Sequence, residues 1–118
     1  MAILSTGPIE NNAVAGVRPT QLVTVKIANR DAVNSSTVLI QGFKLTSTRT
    51  LYVLDLISVA PNQVISKSYF ANIDDYAFVF TTGGMAERST QVSVWGKDAD
   101  ENLVSAHRLV SDEILNQN

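Results

Sequence analysis

A chain of 118 residues with a formal net charge of −2, 45% hydrophobic and 17% charged residues and no cysteine has the length of one domain with one core. Zero cysteine excludes disulfide frameworks, thiolate zinc sites, iron–sulfur clusters and thiol nucleophiles. Nine Lys and Arg against eleven Asp and Glu, scattered along the chain, exclude the dense basic face that nucleic acid requires. No apolar stretch approaches the roughly 18–20 residues of a membrane helix.

The chain opens on Met1-Ala2-Ile3-Leu4-Ser5-Thr6-Gly7-Pro8-Ile9, a short apolar segment with a Gly-Pro break. It carries no positive residue before Arg18 and no apolar run of secretory length, so it does not read as a signal peptide. The small residues Asn11-Asn12-Ala13-Val14-Ala15-Gly16 follow. Residues 1–16 are therefore expected to form a flexible N-terminal connector, with Asn11, Asn12, Ala15 and Gly16 as its spacer and hinge, ahead of a β-domain over 17–118.

From there the residue choice favours strands. About 32 positions are Val, Ile or Thr, whose branched side chains suit a pleated, half-buried surface. Val23, Val25 and Ile27 alternate with Thr24 and Lys26. Between Thr37 and Leu45, Leu39, Phe43 and Leu45 share one face while Val38 and Ile40 take the other. Arg49–Val59 is apolar on both faces and reads as a central strand, buried on both sides. Further strands are predicted at Gln63–Tyr69, at Asp75–Thr81 with the aromatic row Tyr76, Phe78 and Phe80, at Thr90–Lys97, and at Asn102–Val110. Turn chemistry separates them, notably Ala60-Pro61-Asn62 and Asp98–Glu101. The tail, Ser111–Asn118, is polar apart from Ile114 and Leu115 and reads as a frayed end. The pattern predicts an all-β fold: an antiparallel jelly-roll-like β-sandwich of about seven or eight strands with an extended N-terminal arm.

The chemical inventory is thin. His107 is the sole histidine and falls inside a strand pattern, with no Gly-x-Ser-x-Gly elbow to supply a nucleophile. One histidine and no cysteine leave a transition metal without ligands. Asp98, Asp100 and Glu101 surround a hairpin turn but lack the spacing of a calcium loop. Thr81-Thr82-Gly83-Gly84 lacks the Lys-Ser/Thr ending of a phosphate loop. Tyr52, Tyr69, Tyr76 and Trp95 could line a sugar-binding face or could pack in the core. Asn34-Ser35-Ser36 has the form of a glycosylation acceptor, a pattern too common to weigh alone. No cofactor and no enzymatic activity are expected; the inventory favours a structural or interaction protein.

A sandwich exposes strand edges that template another chain, and an apolar peptide on a spacer is their complement. Residues 1–16, extended, reach on the order of 50 Å. That exceeds the roughly 35 Å span of a domain this size. Ala2, Ile3, Leu4, Ser5, Thr6, Gly7, Pro8 and Ile9 are therefore the expected subunit interface, adding a strand to a neighbouring copy.

The opening Met1–Asn12, the stretch Gly16–Arg30 and Val92-Ser93-Val94-Trp95-Gly96-Lys97 resemble the fibre-forming subunits of bacillus endospore appendages. The resemblance implies a jelly-roll sandwich, a connector inserted into neighbouring subunits, and a helical homopolymer on the spore surface. Anchoring and tip proteins of that surface are its implied partners. It also implies release from the mother cell by lysis, without a standard signal peptide. The cysteine pairs that crosslink connectors in better-known members are absent, which points to a fibre held by noncovalent contacts. A carbohydrate-binding or adhesin-type module is the alternative expectation.

Overall fold

The structure, a computed structural model, describes residues 1–111; the tail beyond Ser111 lies outside the described residues. Ten strands are present among them: β1 (Ala2–Ser5), β2 (Ile9–Glu10), β3 (Leu22–Asn29), β4 (Ser36–Leu45), β5 (Arg49–Val59), β6 (Val64–Phe70), β7 (Asp75–Gly83), β8 (Thr90–Lys97), β9 (Leu103–His107) and β10 (Val110–Ser111). One 3-10 turn, Glu87–Ser89, precedes β8. The strands form two antiparallel sheets. The larger has the order β10-β1-β7-β4-β5 with β2 beside β1 on β7, and the smaller is β6-β3-β8-β9. The sandwich expected from the alternating pattern is therefore the fold.

Alternation positions the core. Val23, Val25 and Ile27 from β3 and Val94 from β8 face Val38, Ile40, Ile57, Val59, Tyr76, Phe78 and Phe80 from the larger sheet. Phe78 is the hub: the rings of Tyr52, Tyr69, Tyr76 and Phe80 lie 5.9–6.3 Å from its own. Tyr52 and Tyr76 meet it edge-to-face and Phe80 stacks on it, geometries that add to the burial of their area.

The single strand expected at Asn102–Val110 is two, β9 in the smaller sheet and β10 in the larger. Two further features depart from the sequence reading. Among the described residues β5 is an edge strand rather than a central one, paired only with β4. Its inward residues Ile57 and Val59 are buried, yet Leu54 and Leu56 on the opposite face are 65% and 69% exposed. Both faces are apolar, but the isolated chain covers only one. Second, the register of β4 and β5 shifts at Gly42/Phe43, which pair with Val53 and Leu51. Tyr52 is the extra residue of a β-bulge. Tyr52 and Val53 consequently both pack on the core, so Tyr52 leaves the face that strict alternation assigned to it.

Candidate subunit interface

The N-terminal segment is ordered on its own domain. β1 lies between β7 and β10, pairing Leu4 with Phe80 and with Ser111. Leu4 and Ile9 pack on the core, whereas Ile3 is half-buried on the outer face of the sheet. Beyond β1, the Thr6 amide donates to the Phe78 carbonyl (3.0 Å), and the Phe78 amide donates to Thr6 Oγ1 (3.1 Å). The Met1 amino group pairs with Glu87 Oε2 at 2.5 Å. Gly7 then adopts φ +66°, a left-handed conformation that glycine takes without strain. Its amide donates to Ser5 Oγ (2.9 Å), and Pro8 leads into β2. Residues 2–9, expected as a detached connector, therefore complete the β7 edge of their own sheet, because Leu4 and Ile9 find the same apolar cover there.

The spacer and hinge residues are likewise not an extended coil. Asn11 is 3% exposed. Its Nδ2 donates to the carbonyls of Thr20, Ala71 and Ile73 at 2.8–3.0 Å, and its Oδ1 accepts the Thr20 amide at 2.9 Å. The Asn11 amide donates in turn to the Asp74 carbonyl. Ala15 and Gly16 both have positive φ, 52° and 83°, and sit between Val14 and Val17, which exchange two backbone hydrogen bonds. Positive φ at both central residues is the signature of a tight two-residue turn. Asn12 is exposed beside the Asn11 anchor. Nothing in the sequence separated Asn11 from Asn12; only the fold places three carbonyls around one of them.

The remaining candidates do not assemble a catalytic or ligand site. His107 Nε2 lies 3.4 Å from both Tyr76 Oη and Ser105 Oγ, and no carboxylate hydrogen-bonds to it among the described residues. Burial pushes the imidazole below its ordinary pKa. Asp98 caps its own hairpin: Oδ1 accepts the amides of Asp100 and Asn102, and these hydrogen bonds hold its carboxyl below the usual range. Among the described residues no group of three or more His, Cys, Asp or Glu could hold a metal ion. Thr81 and Thr82 lie within β7, and Gly84 turns the chain towards the 3-10 segment at φ +85°. The four aromatics do not form one exposed platform. Tyr52, Tyr69 and Tyr76 point inward around Phe78, with Tyr52 Oη donating to the Phe70 carbonyl and Tyr69 Oη to Asp55. Trp95 is left to the other side of β8, its Nε1 donating to Ser93 Oγ. Asn34 contributes its carbonyl and amide to the Asn29–Asp31 turn.

What sequence reasoning missed is the outer face of the larger sheet. Three cross-strand rows run over it: Leu56-Leu39-Thr81-Ile3, Leu54-Gln41-Val79-Ser5-Val110, and Leu51-Phe43-Ala77. None of these residues is charged. The signal was present as the two-sided apolar pattern of β5. The outer face of the smaller sheet is mixed: its central rows Ser66-Lys26-Ser93 and Ser68-Thr24-Trp95 are largely polar, and its flanking rows Val64-Ala28-Gln91 and Phe70-Leu22-Lys97 expose Val64 and Phe70.

No family model matches the chain, and no curated protein matches it. Among solved structures it is similar to the crystal structure of Thermotoga maritima 1070, with a TM-score of 0.56 over 93% of this chain and 89% of that one, at 10% identity. At that identity the likeness shows the two-sheet fold and nothing of its use.

Proposed function

We propose that this chain is a structural subunit that self-assembles into a helical fibre on the endospore surface, with the N-terminal strand of each copy inserted into its neighbour. The observation that carries the reading is the seat of β1. It is a four-residue strand held between β7 and β10, joined to the rest by Gly7-Pro8. The same slot in a second copy offers the same ladder and the same cover for Leu4. Exchange of an identical element between copies costs little in contacts, since each lost contact is remade elsewhere.

The magnitudes limit what this joint does alone. Leu4 and Ile9 contribute at most about 1.5–3 kcal/mol each when fully buried. Association itself costs an estimated 4–15 kcal/mol. Arm exchange therefore directs the assembly, while lateral contacts and avidity supply much of its strength. With no cysteine, no disulfide can crosslink the copies.

The test removes residues 1–6 and asks for rescue. The truncated chain should form no filaments in negative-stain micrographs, and should bind a labelled peptide of residues 1–10 that the full chain excludes. Ordered filaments from the truncated chain would remove the connector from the assembly.

A further inference from the structure

The outer face of the larger sheet has the chemistry of a buried surface. Its three rows contain leucine at positions 39, 51, 54 and 56 together with Phe43, Val79 and Ile3, and no charge. The twelve positions of these rows, about 4.8 Å apart between strands and about 6.8 Å apart along them, span on the order of 400 Å². Contiguous apolar patches beyond a few hundred Å² mark contact surfaces. Two such faces, together with the rim positions Arg49, Leu45, Asp75 and Glu10 of each, bury about 1,000 Å², the lower bound for a specific interface.

We propose that this face is a two-fold interface with a second copy of the same chain, large sheet against large sheet. The central rows of the smaller sheet's outer face, with Lys26, Ser66, Ser68 and Ser93, would leave the leucines opposite groups that require water, and the exposed Val64 and Phe70 lie only in its flanking rows. An uncharged face is best matched by its own kind, and a face that pairs with itself does so about a two-fold axis. The rim supports one orientation. Arg49 stacks over Phe43 at the β5 corner, 3.7 Å from the ring centroid, whereas Glu10 and Asp75 pair at the β2 corner of the same end. A two-fold axis along the strands carries the β5 edge of one copy over the β1 and β2 edge of its mate, so Arg49 of each approaches Glu10 of the other. β7 then crosses β7, and Thr81 lies close to its counterpart. Ile3 of β1 belongs to the same face, so an exchanged arm would contribute to the contact, but the interface does not depend on exchange.

A chain without cysteine allows a background-free experiment. Thr81→Cys in the full chain, treated with a short flexible bis-maleimide, should give a covalent dimer on a denaturing gel. Ser66→Cys, on the outer face of the smaller sheet, should remain monomeric. Adding Leu54→Glu and Leu56→Glu to Thr81→Cys should reduce crosslinking about tenfold or more, equivalent to at least about 1.4 kcal/mol, with an unchanged circular dichroism spectrum. The milder Leu54→Thr and Leu56→Thr pair should lower it in part. Crosslinking through Ser66→Cys instead, no dimer from Thr81→Cys, or indifference to the leucine substitutions would each overturn the interface. Filaments from Thr81→Cys that never yield the crosslinked dimer would overturn the two-fold contact and leave the fibre reading standing.

Discussion

Asn11 and His107 show how single polar side chains hold this sandwich. Asn11 satisfies three carbonyls and one amide from two separate loops. Asn11→Ala leaves those groups buried without partners, at about 1–3 kcal/mol for each one that water does not reach. The substitution should lower the denaturation midpoint by an amount equivalent to about 3 kcal/mol in equilibrium unfolding, whereas Asn12→Ala, at an exposed position, should stay within about 0.5 kcal/mol. His107 makes stability depend on pH. Its folded pKa is lowered by burial, so between that value and about 6.5 the unfolded chain binds more protons than the folded one. Stability is therefore full above about pH 6.5 and falls as the pH drops through the folded pKa. Tyr76 acts oppositely: burial raises its pKa to about 12, so stability declines as the pH climbs above its ordinary value of 10.0. Thermal melts across pH should show both slopes, and His107→Gln should abolish the acidic one only. Neither role was legible in the sequence, where Asn11 sat in a run of small residues and His107 fell inside a strand pattern.

At the scale of elements, seven strands from β3 to β9 were legible, because alternation and turn residues bracket each of them. Legibility failed where two elements interact. Alternation placed Tyr52 with Leu54 and Leu56, but the bulge opposite Gly42 turns it inward to Phe78. Gly42 is what admits the bulge. A Cβ built there meets Val53 Cβ at 2.9 Å and Phe78 Cε2 at 3.0 Å. Gly42→Ala should therefore cost about 1–3 kcal/mol by overpacking. It should also perturb the tyrosine signals in near-ultraviolet circular dichroism, while Gly83→Ala, which meets only the Thr37 hydroxyl at 3.0 Å, should be milder. The N-terminal strands were legible as apolar and extended. Their seat was not, since Leu4 and Ile9 specify a buried edge without specifying whose edge it is.

Across the whole molecule, the sequence of β5 was read as a strand covered on both sides, and the isolated chain covers one. That mismatch is informative. A leucine at each of positions 51, 54 and 56 is more apolar surface than a lone edge strand needs, and the edge carries few of the charges or prolines that discourage pairing. The monomer is thus complete as a fold, and it leaves Leu51, Leu54 and Leu56 exposed. The candidate chemistry follows the same division: the inward groups are satisfied by the fold, and the apolar side chains of the β5 edge stay outward.

The Asn11 anchor also acts as a ruler. Whatever happens to β1, the chain is tied to its own domain at residue 11 by the side-chain clamp on Thr20, Ala71 and Ile73. Leu4 is seven residues upstream, so it can travel no further than about 24 Å from that tie at about 3.4 Å per residue. The 50 Å reach of a free arm is thereby halved, and is short against molecular dimensions of 49 × 37 × 20 Å. Copies that exchange strands must stand close, with the slot of one beside the anchor of the next. The spacing of such a polymer is then written in the chain, by the count of residues between a leucine and an asparagine.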